Sequence, residues 1–241
     1  MHVGFLECDH VEGRFPSDPR GYREMFVDLL APHLPDLQFS CFDVCHGELP
    51  GDPDACDAYL CSGSRFSAYD ALDWIGDFAD FLRELQRRER RFVGVCFGQQ
   101  MLAQTFGGEV ARSARGWGAG VYGTVMRRTE PWMQPPTAEC KLQYVHQDQV
   151  TRLPDDGVLL GASAHCELAM FRVGDSMLGI AGHPEFTVPY GKALIRARAE
   201  SIGADRAKAG LASLARPTDG RLVGQWIAAF IGGRGRSETA R

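Results

Sequence analysis

Two stretches of this sequence carry side chains whose types and spacing could do nucleophilic chemistry. The first is Arg91-Phe-Val-Gly-Val-Cys96-Phe-Gly-Gln-Gln100, where a short apolar run ends at a cysteine and Gly98 opens an amphipathic stretch, Gln99 to Phe106. A β-type run followed by a helical one predicts a strand-to-helix elbow with Cys96 at its apex. An elbow lifts the side chain above the sheet and sets the N–H groups and positive dipole end of the helix beside it. In that setting a cysteine serves as a nucleophile, whereas the plain alternative is a buried structural thiol. Gly94 and Gly98 flank Cys96 because a sharp turn under a nucleophile leaves little room for a Cβ. The second stretch is Met177-Leu-Gly-Ile-Ala-Gly-His183-Pro-Glu185-Phe. Here another apolar strand delivers a histidine, Pro184 stops it, and Glu185 stands two positions on. An elbow cysteine, a strand-end histidine and a nearby carboxylate are the parts of a nucleophile, base and orienter system.

Together, the G-x-C-x-G-x-Q and H-P-E stretches resemble the class I (triad-type) glutamine amidotransferase domain, over roughly residues 2 to 200. The resemblance implies a Cys96-His183-Glu185 triad and draws in three further segments. Leu60-Cys-Ser62-Gly63-Ser64-Arg65 follows a predicted third strand, and its small residues leave N–H groups free to meet a developing oxyanion. In the family the matching loop supplies one oxyanion donor, and the residue after the cysteine, here Phe97, supplies the other. Ser64-Arg65 stand where the family often has Gly-Pro, which leaves the loop donor as either Gly63 or Ser64. Gln100 matches the last glutamine of the motif, which helps hold the α-amino and α-carboxylate end of the substrate; an ordinary surface glutamine is the alternative. Gln143-Tyr-Val-His146-Gln-Asp148-Gln-Val150 is similar to the family's S-x-x-H-x-D-x-V segment, which borders the glutamate pocket, although a His-x-Asp pair can also cap a turn. Ser62-Gly63-Ser64, Tyr69-Asp70, Trp74 and Arg115-Gly-Trp117-Gly-Ala-Gly120 look like the stand-alone GMP-synthase-like amidotransferases and the plant γ-glutamyl peptidases. Trp117 then lines the pocket or plugs a strand-end gap.

The implied activity is hydrolysis of the γ-glutamyl amide bond of glutamine or another γ-glutamyl compound, releasing glutamate and ammonia or an amine, with no metal or organic cofactor. The sequence has no P-loop, no ATP-pyrophosphatase pattern and no length to spare for a synthetase domain. An ammonia acceptor would therefore require a separate synthetase subunit. A regulatory or binding protein on the same scaffold is the non-enzymatic alternative.

The elements that must position these groups follow from patterning. Strand, helix, strand and helix alternate up to Phe106, predicting a mostly parallel sheet flanked by helices. The helix with the clearest apolar face runs from Asp73 to Arg90, ending in the basic run Arg87 to Arg91, read as a solvated terminus. After Gly107 the strand-like segments Gly120–Arg128, Cys140–Val145, Gly157–Gly161, Cys166–Val173 and Met177–Ala181 have little helix between them, so an antiparallel portion is expected. Three closing helices are read at Pro189–Ser201, Ala204–Leu214 and Gly220–Ile231. The expected architecture is one α/β domain over residues 1–231, flavodoxin-like, with a polar tail over residues 232–241 expected to be disordered. At 241 residues, 44% hydrophobic and net charge −5, the chain has the composition of a globular protein and no basic face for nucleic acid. No leader or membrane-length apolar run is seen, and a cytoplasmic location is expected. None of the eight cysteines forms a C-x-x-C pair, so reduced and mostly buried thiols are expected.

Overall fold

The computed structural model describes residues 1–233, so most of the polar tail lies outside the described residues. In chain order the elements are β1 (His2–Glu7), α1 (Tyr22–Leu30), β2 (Gln38–Asp43), a 3₁₀ turn (Val44–His46), β3 (Ala58–Cys61), α2 (Asp73–Arg87), β4 (Arg91–Val95) and α3 (Phe97–Thr105). There follow β5 (Glu109–Arg112), β6 (Gly118–Met126), β7 (Glu139–His146), β8 (Asp148–Arg152), β9 (Gly157–Ser163), β10 (Met170–Val173) and β11 (Met177–Ile180). The chain closes with α4 (Val188–Ala197), α5 (Ala199–Ile202), α6 (Ala204–Ser213) and α7 (Gly220–Ile231).

Nine strands form one sheet in the order β2-β1-β3-β4-β11-β10-β9-β6-β7. The pairs from β2 through β11 are parallel, and those from β11 to β7 are antiparallel. The chain therefore has the mixed α/β architecture expected of it, with a parallel core. Because successive strand side chains point to opposite faces, each inner strand feeds two cores. Leu60 and Val93 join one core, with residues of α1, α4 and α7. Tyr59, Cys61 and Phe92 join the other, beneath α2 and α3. Strands β3 and β11 are buried along their whole length, which explains their unbroken apolar sequence.

Two differences from the sequence reading stand out. A second, two-stranded sheet pairs β5 with β8, which the sequence reading did not contain. The predicted helix over Pro189–Ser201 is divided between α4 and α5 at Arg198. The basic run after α2 is also less bare than expected: Arg88 and Arg90 both reach Asp54, at 2.8 and 2.6 Å. No described helix is long and apolar enough to cross a membrane. All eight cysteines are free, six of them buried, with Cys45 half-buried and Cys41 exposed.

Candidate active site

Parallel strands end together, so the loops after β3, β4 and β11 open at one edge of the sheet. Cys96 follows β4 directly and has φ +53°, ψ −98°, a left-handed backbone that a β-carbon disfavours. Two neighbours enforce the bend. A Cβ on Gly94 would stand 2.3 Å from the Gly98 carbonyl carbon, and one on Gly98 would stand 3.0 Å from the Cys61 sulfur. Helix α3 therefore begins at Phe97, immediately after the cysteine, rather than at Gln99. Its first N–H groups have no intrahelical partner.

His183 arrives at the end of β11 by a bridge to β7, its N–H donating to the Gln143 carbonyl at 2.8 Å. The Gln143 side-chain amide in turn donates to the Phe186 carbonyl at 2.9 Å, fixing the turn that carries Glu185. The His183 Nδ1–H donates to Glu185 Oε1 at 2.6 Å, with both side chains almost wholly buried. Phe186 stacks flat on the imidazole, with centroids 3.8 Å apart and planes at 8°. Burial works against protonation of His183. The negative charges of Glu185 and Cys96 overcome it, and the imidazole is pushed up to about 10.

Gly63 closes the space between the two. A Cβ placed there would lie 2.9 Å from His183 Cε1, 3.1 Å from the Tyr22 hydroxyl and 3.7 Å from Cys96 Cβ. Only a glycine lets the loop after β3 come this close. The Ser64 and Arg65 side chains fasten this loop to the segment after β1. Ser64 Oγ donates to the Cys8 carbonyl at 2.8 Å, while the Arg65 guanidinium meets the buried Asp9 carboxylate at 2.9 Å. Among the described residues, no hydrogen bond is made by the N–H of Gly63, Ser64 or Phe97.

The second group of predicted residues converges on the Asp148 backbone. Gln100 Nε2 and His146 Nδ1 each donate to the Asp148 carbonyl, both at 2.9 Å. Gln100 is 5% exposed, which removes the surface-glutamine alternative. Burial pushes His146 down to about 3, so it is a neutral imidazole with its bare Nε2 turned inward and without a partner. His183 is thus the histidine of this region poised to carry a proton. The Asp148 carboxylate accepts from Ser67 Oγ at 2.5 Å and Tyr69 Oη at 3.0 Å, binding the segment after β3 to the start of β8. Trp117 precedes β6 with the Arg198 guanidinium 5.7 Å above its ring, and its carbonyl accepts from Arg206. Trp117 is half-buried and packs against the core cluster that includes Cys96.

Sequence reasoning assigned no role to Tyr22, Gln143 or Phe186. Tyr22 reads as one apolar position of α1, and Phe186 directly follows the H-P-E stretch. The only signal for either was adjacency to a known element. Among the described residues, the cluster of metal-type donors lies elsewhere, at His10, Asp43, Cys45 and His46.

Fold and site together define a cysteine-centred α/β domain, and the comparisons with known proteins give it a family. The model of the glutamine amidotransferase class-I family matches residues 55–200, and this chain belongs to that family. Gamma-glutamyl peptidase 4 of Arabidopsis thaliana is 32% identical over 173 residues, 69% of this chain and 68% of that protein. A glutamine-hydrolyzing GMP synthase of Flavobacterium psychrophilum is 27% identical over 68% of this chain but only 31% of its own length. Among solved structures, a glutamine amidotransferase from Thermotoga maritima superposes with a TM-score of 0.75 over 98% of this chain and 100% of that one. At 20% identity, that likeness speaks for the fold alone.

Proposed function

We propose that this chain hydrolyses γ-glutamyl amide bonds through Cys96, His183 and Glu185. The observation that carries the reading is the buried His183–Glu185 pair at 2.6 Å, facing a cysteine held at a left-handed elbow. Cys96 attacks the δ-carbonyl as the thiolate, and the developing oxyanion is met by the N–H of Phe97 and of the Gly63–Ser64 loop. Protonated His183 gives its proton to the departing amine or ammonia. The neutral imidazole then takes a proton from water, which attacks the thioester and releases glutamate. Glu185 holds the imidazole with Nδ1 protonated, so that Nε2 serves both transfers. Gln100, His146 and Asp148 border the site and hold the α-amino and α-carboxylate end of the substrate, largely through backbone that they brace.

The preferred substrate class is γ-glutamyl peptides and glutamine, cleaved by the chain acting alone. The named peptidase relatives, matched over two thirds of their length, favour this over ammonia delivery. One observation favours the second reading, a glutaminase subunit serving a separate synthetase: the GMP synthases are matched over 31% of their length, leaving the rest of those enzymes without a counterpart here. Glutamate release from glutamine and from a γ-glutamyl peptide panel separates the two. Turnover of peptides by the purified chain is expected. Inactivity relieved only by an added synthetase would replace the hydrolase reading with the subunit one.

A further inference from the structure

Beyond the carboxyl ends of β1 and β2, four side chains of metal-binding type converge: His10, Asp43, Cys45 and His46. Asp43 Oδ2 lies 3.1 Å from His10 Nε2 and 2.9 Å from His46 Nδ1. The Cys45 sulfur lies 3.4 Å from Asp43 Oδ1 and 3.9 Å from His10 Nδ1. The two imidazoles stack, with centroids 5.1 Å apart and planes at 19°. We propose that this cluster is a divalent metal site and that zinc is the ion it fits.

Distance and donor chemistry agree on this. A tetrahedral zinc ion with bonds of roughly 2.0–2.3 Å sets its donor atoms about 3.3–3.8 Å apart. Taking one donor atom from each residue, all four lie within 4.8 Å of one another, with Asp43 Oδ2 3.1 Å from His10 Nε2 and 2.9 Å from His46 Nδ1. Small movements of four side chains therefore suffice to close on an ion. Two imidazoles, a thiolate and a carboxylate form the mixed N, S and O set that zinc accepts, whereas magnesium and calcium take oxygen donors.

The backbone carrying the donors is already fixed. Asp43 ends β2, and Cys45 and His46 sit on the 3₁₀ turn that follows it, closed by hydrogen bonds of 3.0 Å from Gly47 N–H to the Val44 carbonyl and from Glu48 N–H to the Asp43 carbonyl. Val44, between them, is fully buried and anchors the turn to the core. His10 comes from the segment after β1, where the Cys8 N–H donates to Ser62 Oγ at 3.1 Å and Asp9 holds Arg65. With four protein donors the ion has no open position for substrate, so its work is structural. It fastens the segment after β1, on which the Gly63 loop rests, to the end of β2. Coordination takes Cys45 as the thiolate and releases its proton to solvent.

The test uses the full chain carrying Cys96→Ala, so that the candidate nucleophile cannot supply a thiolate. Zinc binding is followed by calorimetry and by metal content after desalting, and cobalt is the spectroscopic probe. One ion per chain is expected, with a thiolate-to-cobalt charge-transfer band and a raised melting temperature. Adding Cys45→Ser should abolish the band. His46→Ala and, from the other loop, His10→Ala should each weaken zinc binding by more than the roughly 10–100-fold that loss of an outer-shell partner costs. Cys41→Ser, a nearby exposed thiol, should change nothing. Circular dichroism establishes that each variant is folded. Failure to retain zinc, or a cobalt band that survives Cys45→Ser, would overturn the assignment.

Discussion

At the residue scale, the three proposed catalytic side chains differ in how replaceable they are. Cys96 forms the bond to substrate, so Cys96→Ala should leave a folded protein whose γ-glutamyl hydrolysis falls by on the order of 10⁵–10⁶-fold. His183→Ala should be nearly as severe. Glu185→Gln keeps a hydrogen-bond acceptor 2.6 Å from Nδ1 but loses the charge that sustains the imidazolium, and a loss of roughly 10²–10⁴-fold is expected. Steady-state rates with a γ-glutamyl peptide would check all three. The same carboxylate sets the alkaline limit. His183 must be protonated to expel the amine, and it is held up at about 10, so activity should persist well above pH 8 and decline as pH approaches 10. In Glu185→Gln that alkaline limb should move to lower pH. A limb that stays in place would mean that another group donates the proton.

At the scale of elements, two glycines should separate folding from function. A Cβ on Gly94 meets backbone at 2.3 Å, and backbone cannot swing aside, so Gly94→Ala should cost on the order of 3 kcal/mol and disturb the elbow. A Cβ on Gly63 meets the His183 ring edge at 2.9 Å, inside the site rather than beneath it. Gly63→Ala should therefore abolish turnover with a smaller change in melting temperature, as paired activity and denaturation measurements would show. These positions also show what the sequence makes legible. The elbow could be read because a strand, a cysteine and a helix are contiguous, and β1, β3 and α7 begin and end where apolar patterning places them. The small β5–β8 sheet was not legible. β5 is four residues with one buried apolar side chain, and its partner lies at Asp148–Arg152, so neither strand has a period of its own to detect. Contacts between distant loops escaped for the same reason. Asp9 and Arg65 are separated by 56 positions, and nothing local marks either as half of an ion pair. The search for paired cysteines likewise passed over His10, Asp43, Cys45 and His46, whose donors come from two loops.

At the scale of the whole molecule, a bond between the segment after β1 and the cap of α4 joins parts far apart in sequence, and it titrates, as does the local His183–Glu185 pair. Asp18, in the segment after β1, accepts from Thr187 Oγ1 at 2.5 Å, at the cap of α4, and its carboxylate is paired with Arg20 at 2.7 Å. The hydrogen bonds from Arg20 dominate and pull Asp18 down to about 2 from an ordinary 3.8. A depressed carboxylate contributes stability that is fully present above its unfolded value and is lost as pH falls toward the folded one. His183 runs the other way. It is raised from 6.5 to about 10, so its contribution is complete below 6.5 and is lost as pH rises toward 10. The two contributions are therefore both at full strength only between about pH 4 and 6.5, the window set by their unfolded values. Melting temperatures followed from pH 2.5 to 10 should fall at both ends. Asp18→Asn should lower the plateau and flatten the acid limb while leaving the alkaline limb intact, and Glu185→Gln should do the reverse. If Asp18→Asn kept the full acid slope of the parent, the tie between the β1 segment and α4 would not be what loosens in acid.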